Sequence, residues 1–199
     1  RTIVDKGVHA LFGRPPAFDL DSRPGERSPA EQWLDECLAA NRWPSLLAKL
    51  ATNGAVCGHA YIKIMPGALI PGPSPTERVG EGVRGVRAAF PRLVNLSPEY
   101  VTVATDPDDV ERAVQYTIAW SSPGDGGGGK PIHHRQVIAR EAGSEVSAAA
   151  GHWRIVDEQA EGNGPWETLS AAAWPYRWPP IHDCQNLPQP NLYYGLPDL

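Results

Sequence analysis

Apolar residues recur at helical spacing through roughly the first quarter of the chain and at alternating spacing through much of the rest. "TIVDKGVHALFG" places Ile3, Val4, Val8, Leu11 and Phe12 on one face and ends at Gly13, ahead of Pro15 and Pro16. That spacing predicts a helix with a glycine cap. "AFDLDSRPGER" reads as a short extended piece and a loop. "SPAEQWLDECLAANRW" opens with a capping box, Ser28 as N-cap, Pro29 at the first helical position and Glu31 two beyond it. Trp33, Leu34, Cys37 and Leu38 form its apolar stripe. "PSLLAKLATNG" predicts a third helix with Leu46, Leu47, Leu50 and Ala51 inward, stopped at Asn53-Gly54.

The period then changes. "AVCGHAYIKIM" (55–65) is β-prone and Pro66 ends it. Residues 66–81 are a Pro/Gly/Ser loop. "VRGVRAAFPRLVNL" and "YVTVAT" read as strands on either side of Ser97-Pro98, "DPDD" as a turn, and Val110 to Trp120 as a strand. "SSPGDGGGGKP" is a flexible tip, and "IHHRQVIAR" alternates again, so the two runs predict a long β-hairpin. A further strand is expected at Trp153–Val156, residues 160–178 are ambiguous, and "PPIHDCQN" is short and extended between prolines. Helices first and antiparallel strands after give an α+β class with a long hairpin. The division read from this is a helical segment, 1–54, and a β-rich remainder of the same domain, 55–199.

At 199 residues the chain has room for one good core, or one core plus an appendage. With 21 Pro and 20 Gly it must be rich in turns, yet seven Trp remain to bury. The net charge of −5 argues against tight, sequence-independent nucleic-acid binding, which needs a basic balance or patch. Cys37, Cys57 and Cys184 are few and widely spaced, so no disulfide framework is expected and a reducing intracellular origin is. No apolar run approaches a membrane helix and no signal peptide is visible. The chain begins at Arg1 inside a predicted helix, so both ends are expected to be cut from something longer.

Several groups invite a chemical reading. "GDGGGGK", Gly124 to Lys130, has phosphate-loop spacing. That chemistry needs a Ser or Thr after the lysine and a following helix, whereas Pro131 and a period-2 run follow. The plainer reading is a hairpin tip. His133 and His134 would face opposite sides of a strand and cannot both serve one metal. His182 and Cys184 would share a face; zinc there needs two more ligands, and His59, His152 and Cys57 have no linking spacing. The plainer reading is a half-buried strand with Asp183 outward. Cysteine catalysis by Cys184 with His182 needs a ring that reaches the sulfur and a lowered thiol pKa, which adjacent strand positions rarely give. Asp106, Asp108 and Asp109 lack the spaced glutamate of a calcium loop and read as a turn. Trp153, Trp166, Trp174, Trp178 and Tyr176 suit either a sugar platform or a subunit interface. These residues thus yield no catalytic, cofactor or metal site.

Four segments in order carry the reading further. "PRLVNLSPEYVTVATDPDDVERAVQYTIAW" resembles a stretch of tailed-phage portal (head–tail connector) proteins. There a Pro-Glu turn, a strand, an acidic turn and a strand ending in aromatics follow one another. "WPPIHDCQNLPQPNLYYGLPDL" resembles their Pro-hydrophobic-His segment with a later Asn and a Tyr-Gly-x-Ser-Asp-Leu phrase, here Pro180-Ile181-His182, Asn186 and Tyr194 to Leu199. "RTIVDKGVHALFGRPPAF" is similar to their leading helix, and "WLDECLAANRWPSLLAKLATNGAVCGHAYIKI" to their helix pair and following strand. Pro197 departs from the usual Ser.

The resemblance implies a wing-domain fragment of a portal protein, without the stem and clip. It implies a homo-oligomeric ring, usually a dodecamer, at one capsid vertex of the virion, assembled in the host bacterial cytoplasm. Terminase, scaffold or capsid, and head-completion proteins would be its partners. DNA would pass through the channel without being gripped by this region. No enzymatic activity, cofactor or membrane is implied, and the piece alone is expected to be largely monomeric. The rival readings are an intracellular metal-dependent hydrolase domain using the His182/Cys184 region, and a Trp-rich carbohydrate-binding β module.

Overall fold

The computed structural model describes residues 4–8, 16, 18, 27–67, 69–71, 86–88, 90–124, 129–141 and 153–198. The class is α+β, with helices first and antiparallel sheets after. Residues 4–8 are helical (α1); the expected glycine cap at Gly13 lies outside the described residues. Helix α2 (Pro29–Ala40) starts where the capping box places it. The Ser28 N–H donates to Glu31 Oε2 (2.6 Å) and the Glu31 N–H to Ser28 Oγ (3.2 Å), so two end donors are satisfied reciprocally. Of its expected apolar stripe Cys37 is buried, whereas Trp33 is exposed and leans on Phe90.

Helix α3 (Trp43–Cys57) runs through Asn53-Gly54, which was expected to stop it. The stop is Gly58, whose φ of +75° is the left-handed turn a helix end needs and whose N–H donates to Gly54 O (2.8 Å). The Asn53 amide is held instead by the Leu96 carbonyl (3.0 Å). The β-prone run from residue 55 therefore becomes strand only at β1 (His59–Met65). The single strand expected over 83–96 is two, β3 (Val86–Ala88), paired with β2 (Leu69–Pro71), and β4 (Arg92–Leu96). A short 3-10 turn (Pro98–Tyr100) then leads into β5 (Val101–Asp106).

Two compact units result, Arg1–Thr52 with Lys63–Asn95, and Asn53–Ile62 with Leu96–Leu199. In the first, the Asn41 side chain ties the α2–α3 turn to β4. It donates to Pro91 O (2.8 Å) and accepts from the Leu93 N–H (2.7 Å).

The second unit is built on an antiparallel meander, β5-β6-β7-β8-β9. β6 (Asp109–Ser122) and β7 (Ile132–Arg140) form the expected long hairpin. β8 (Trp153–Glu161) is longer than its sequence pattern predicts, and β9 (Glu167–Trp174) fills the stretch that was ambiguous. β9 is an edge strand with only Trp174 buried, so burial left no alternation to read. β10 (Ile181–Gln185) lies beside β1. The core joins Tyr61, Val101, Tyr116, Ile118, Ile138, Trp153, Trp174 and Ile181. Burying such large rings is the dominant favourable contribution to this unit.

Candidate functional site

A polar cluster of the second unit converges on Asp183. β10 alternates: Ile181 and Asp183 face inward, while His182 and Cys184 are exposed. This corrects the expectation that Asp183 points outward. Three donors hold its carboxylate. The Tyr116 hydroxyl, from β6, donates to Oδ1 (3.0 Å). The Tyr193 hydroxyl, from the segment after β10, donates to Oδ2 (2.6 Å). His59 Nε2, from β1, lies 3.3 Å from Oδ2. An ionised carboxylate only accepts, so Nε2 carries the proton.

The His59 ring, 1% exposed, is sandwiched by aromatics. Tyr61 stacks on it at 4.8 Å and Tyr193 at 5.1 Å between centroids, with Tyr194 edge-on at 5.6 Å. His59 Nδ1 and the Tyr61 hydroxyl are buried without a hydrogen-bond partner of normal geometry among the described residues.

Burial by itself pushes the Asp183 pKa up. The bonds from His59, Tyr193 and Tyr116 outweigh it and bring the value down to about 2. The tyrosines move the other way. Burial first, and then the Asp183 charge and its hydrogen bond, push Tyr116 and Tyr193 well above the usual phenol range. Burial also raises Tyr61. The cluster therefore holds one fixed negative charge and neutral phenols near neutral pH.

Backbone contacts continue the attachment of the last segment. The Asn186 N–H donates to Gly58 O (2.9 Å), and its side-chain amide donates to Leu196 O (3.0 Å) and Asp198 Oδ1 (2.9 Å). The Gln185 amide bonds the carbonyls of Leu192 and Tyr193, and the Asp198 N–H donates to Ala55 O (2.8 Å). Gly58 and Gly195 meet backbone to backbone. A Cβ on Gly58 would lie 2.1 Å from Gly195 O, and one on Gly195 would lie 2.0 Å from Asn186 O. Only glycine permits this approach. The arrangement engages its carboxylate on both oxygens and clamps a chain segment.

The other candidates do not converge. Cys184 is exposed on the opposite side of β10 from Asp183, yet its thiol is partly desolvated; that desolvation, and then the Asp183 charge, raises its pKa. A raised thiol pKa is the reverse of what a nucleophilic cysteine needs. Cys184→Ser should shift the urea-unfolding free energy by less than about 0.5 kcal/mol, as an exposed position does. A loss several times larger would assign the sulfur a structural contact.

His133 accepts from or donates to Ser121 Oγ (2.8 Å), while His134 pairs with Ser122 Oγ (3.0 Å) and stacks on Trp120. No group of three or more His, Cys, Asp or Glu with metal-holding geometry occurs among the described residues, and His152 lies outside them. Asp106 and Asp109 close a two-residue hairpin turn, where Asp106 Oδ1 accepts from the Asp108 N–H (3.0 Å).

Gly124 and Lys130 flank the β6–β7 hairpin tip, and a strand follows, not a helix. The open depression beside them, about 590 Å³, is lined by Glu161 and Glu167 as well as Lys130, a poor setting for phosphate. The aromatic set is divided. Trp153 and Trp174 are core, and Trp166 lies under Arg135 at 4.3 Å. Tyr176 and Trp178 are exposed but stacked on each other at 4.9 Å, which covers one face of each ring.

Sequence reasoning missed His59 (except as a spare zinc ligand), Tyr61, Tyr116 and Tyr193 as partners of Asp183. Their signal was polar-tipped rings at inward strand positions, in "GHAYIKI" and "AVQYTIAW". No helix among the described residues is long and apolar enough to cross a membrane. A scan against protein-family models finds no match, and a search of curated proteins finds none either.

Proposed function

We propose that this chain is a wing region of a phage or prophage portal ring, a structural and assembly component and not an enzyme. One observation carries the reading. Three of the four segments that resemble portal sequences each supply a side chain to the Asp183 cluster: His59 from the strand after the helix pair, Tyr116 from the aromatic-ended strand, Asp183 and Tyr193 from the last segment. The segments are joined to one another through these four side chains, whose polar groups are taken up by one another. That suits a part whose work is to hold shape within an assembly. The exposed aromatics Trp166, Tyr176 and Trp178, on or beside the edge strand β9, suit contact with other subunits or completion proteins.

The reading places this sequence within a longer chain that forms a ring at a capsid vertex and binds terminase and head-completion proteins. Negative-stain microscopy of that full-length product should show rings with a central hole. Uniformly monomeric particles, at concentrations where portal rings assemble, would overturn the reading.

A further inference from the structure

The first unit carries a second polar feature, unrelated to the Asp183 cluster. A depression of about 260 Å³ lies between the α2–α3 turn, the start of α3 and β4. Three cations line it, Arg42, Lys49 and Arg92, with Ser45 and Asn41 between them. All three cations are exposed, and none forms an ion pair among the described residues. In a chain of net charge −5, three unpaired cations in one hollow is not the arrangement that random surface mixing gives. The lining contains no carboxylate and no aromatic ring.

The hollow is also held in shape. The Asn41 side chain bonds Pro91 and Leu93, which fixes β4 against the helix turn. Arg42 sits at φ +51°, a left-handed position normally given to glycine after a helix. Its N–H closes α2 on Ala39 O (3.0 Å), and its carbonyl accepts the first bonds of α3 from Ser45 and Leu46. Arginine there is strained relative to glycine. The first turn of α3 holds no acidic residue to neutralise the helix end.

We propose that this hollow binds a phosphate group. Without a ring to stack a base, it recognises phosphate oxygens and not base identity. Two sources offer that chemistry, the backbone of a nucleic acid and a small phosphate compound. About three contacts give a weak, salt-sensitive grip, with the logarithm of affinity falling about 2.7 per decade of salt on duplex DNA. Such a grip is compatible with the acidic balance of the whole chain and does not depend on the portal reading.

The test is fluorescence anisotropy of a short labelled DNA duplex titrated with the chain at several salt concentrations, beside amide NMR titration with inorganic phosphate. Binding to duplex that weakens about 500-fold over one decade of salt supports the site and names the backbone as the source. Saturable shifts at Arg42, Ser45 and Arg92 with phosphate, without duplex binding, support the site and name a small phosphate compound. Arg42→Gly removes one cation while suiting the left-handed backbone, so it should keep the fold and lower the salt slope by about 0.9. Arg92→Gln should do the same from β4. The proposal is overturned if neither probe binds, if both variants bind as the parent does, or if polyglutamate of matched charge competes as well as duplex.

Discussion

Replacing Asp183 with Asn should cost the folded chain about 2–3 kcal/mol, and with Ala about 3–5 kcal/mol. The carboxylate accepts from Tyr116, Tyr193 and His59, and hydrogen bonds to a charged group are the strong ones. Asn keeps one acceptor but sets an N–H against a donor. Ala leaves all three donors buried and unpaired. The same residue sets an acid limb. Its folded pKa of about 2 lies below the ordinary 3.8. Above about pH 4 the carboxylate is charged in both states and its full stabilisation, about 2.5 kcal/mol, is present. As pH falls from about 4 to about 2 the unfolded chain takes the proton first, and that stabilisation is lost. Urea unfolding of parent and Asp183→Asn at about pH 5 and about pH 2.5 checks this. The parent should lose about 1.5 kcal/mol more than the variant between the two. Equal losses would show that Asp183 does not anchor the cluster.

Gly58→Ala should be at least as damaging, at about 3 kcal/mol or more. The added methyl would sit 2.1 Å from the Gly195 carbonyl oxygen, and φ +75° strains any residue with a Cβ. Gly195→Ala meets two carbonyl oxygens, those of Asn186 at 2.0 Å and Gly58 at 2.6 Å, and no flexible side chain that might yield. The damage should be local first. The segment from Asn186 to Asp198 holds on through these glycines, Asn186 and the Tyr193–Asp183 bond. Hydrogen exchange should therefore show faster exchange at Asn186, Leu196 and Asp198 before the β6–β7 hairpin responds. Unchanged protection there in both glycine variants would show that the close approach is dispensable.

Between them these residues explain the run "HDC". The neighbours that look reactive, His182 and Cys184, face solvent, and the residue between them does the holding. Neither was legible from the run itself. Alternation says only that Asp183 lies opposite to its neighbours; which side is inward depends on what packs against the strand.

The sequence by itself determined much of the framework. Ser28, Pro29 and Glu31 specify the start of α2 because capping is a local hydrogen-bond problem solved within four residues. The alternation of Val110 to Trp120 and of Ile132 to Ile138 about a glycine-rich tip specifies the β6–β7 hairpin, since pleat and turn are local too. Only the tertiary structure decided the rest. Helix α3 passed Asn53-Gly54 because the next backbone able to turn left-handed, and to meet Gly195, was at Gly58. β9 became a strand through pairing with β8, with almost no burial to mark it. Asp183 gained its partners from residues 124, 67 and 10 positions away. Contacts across such separations leave no periodic trace, because each strand keeps its own pattern whichever neighbour the fold supplies.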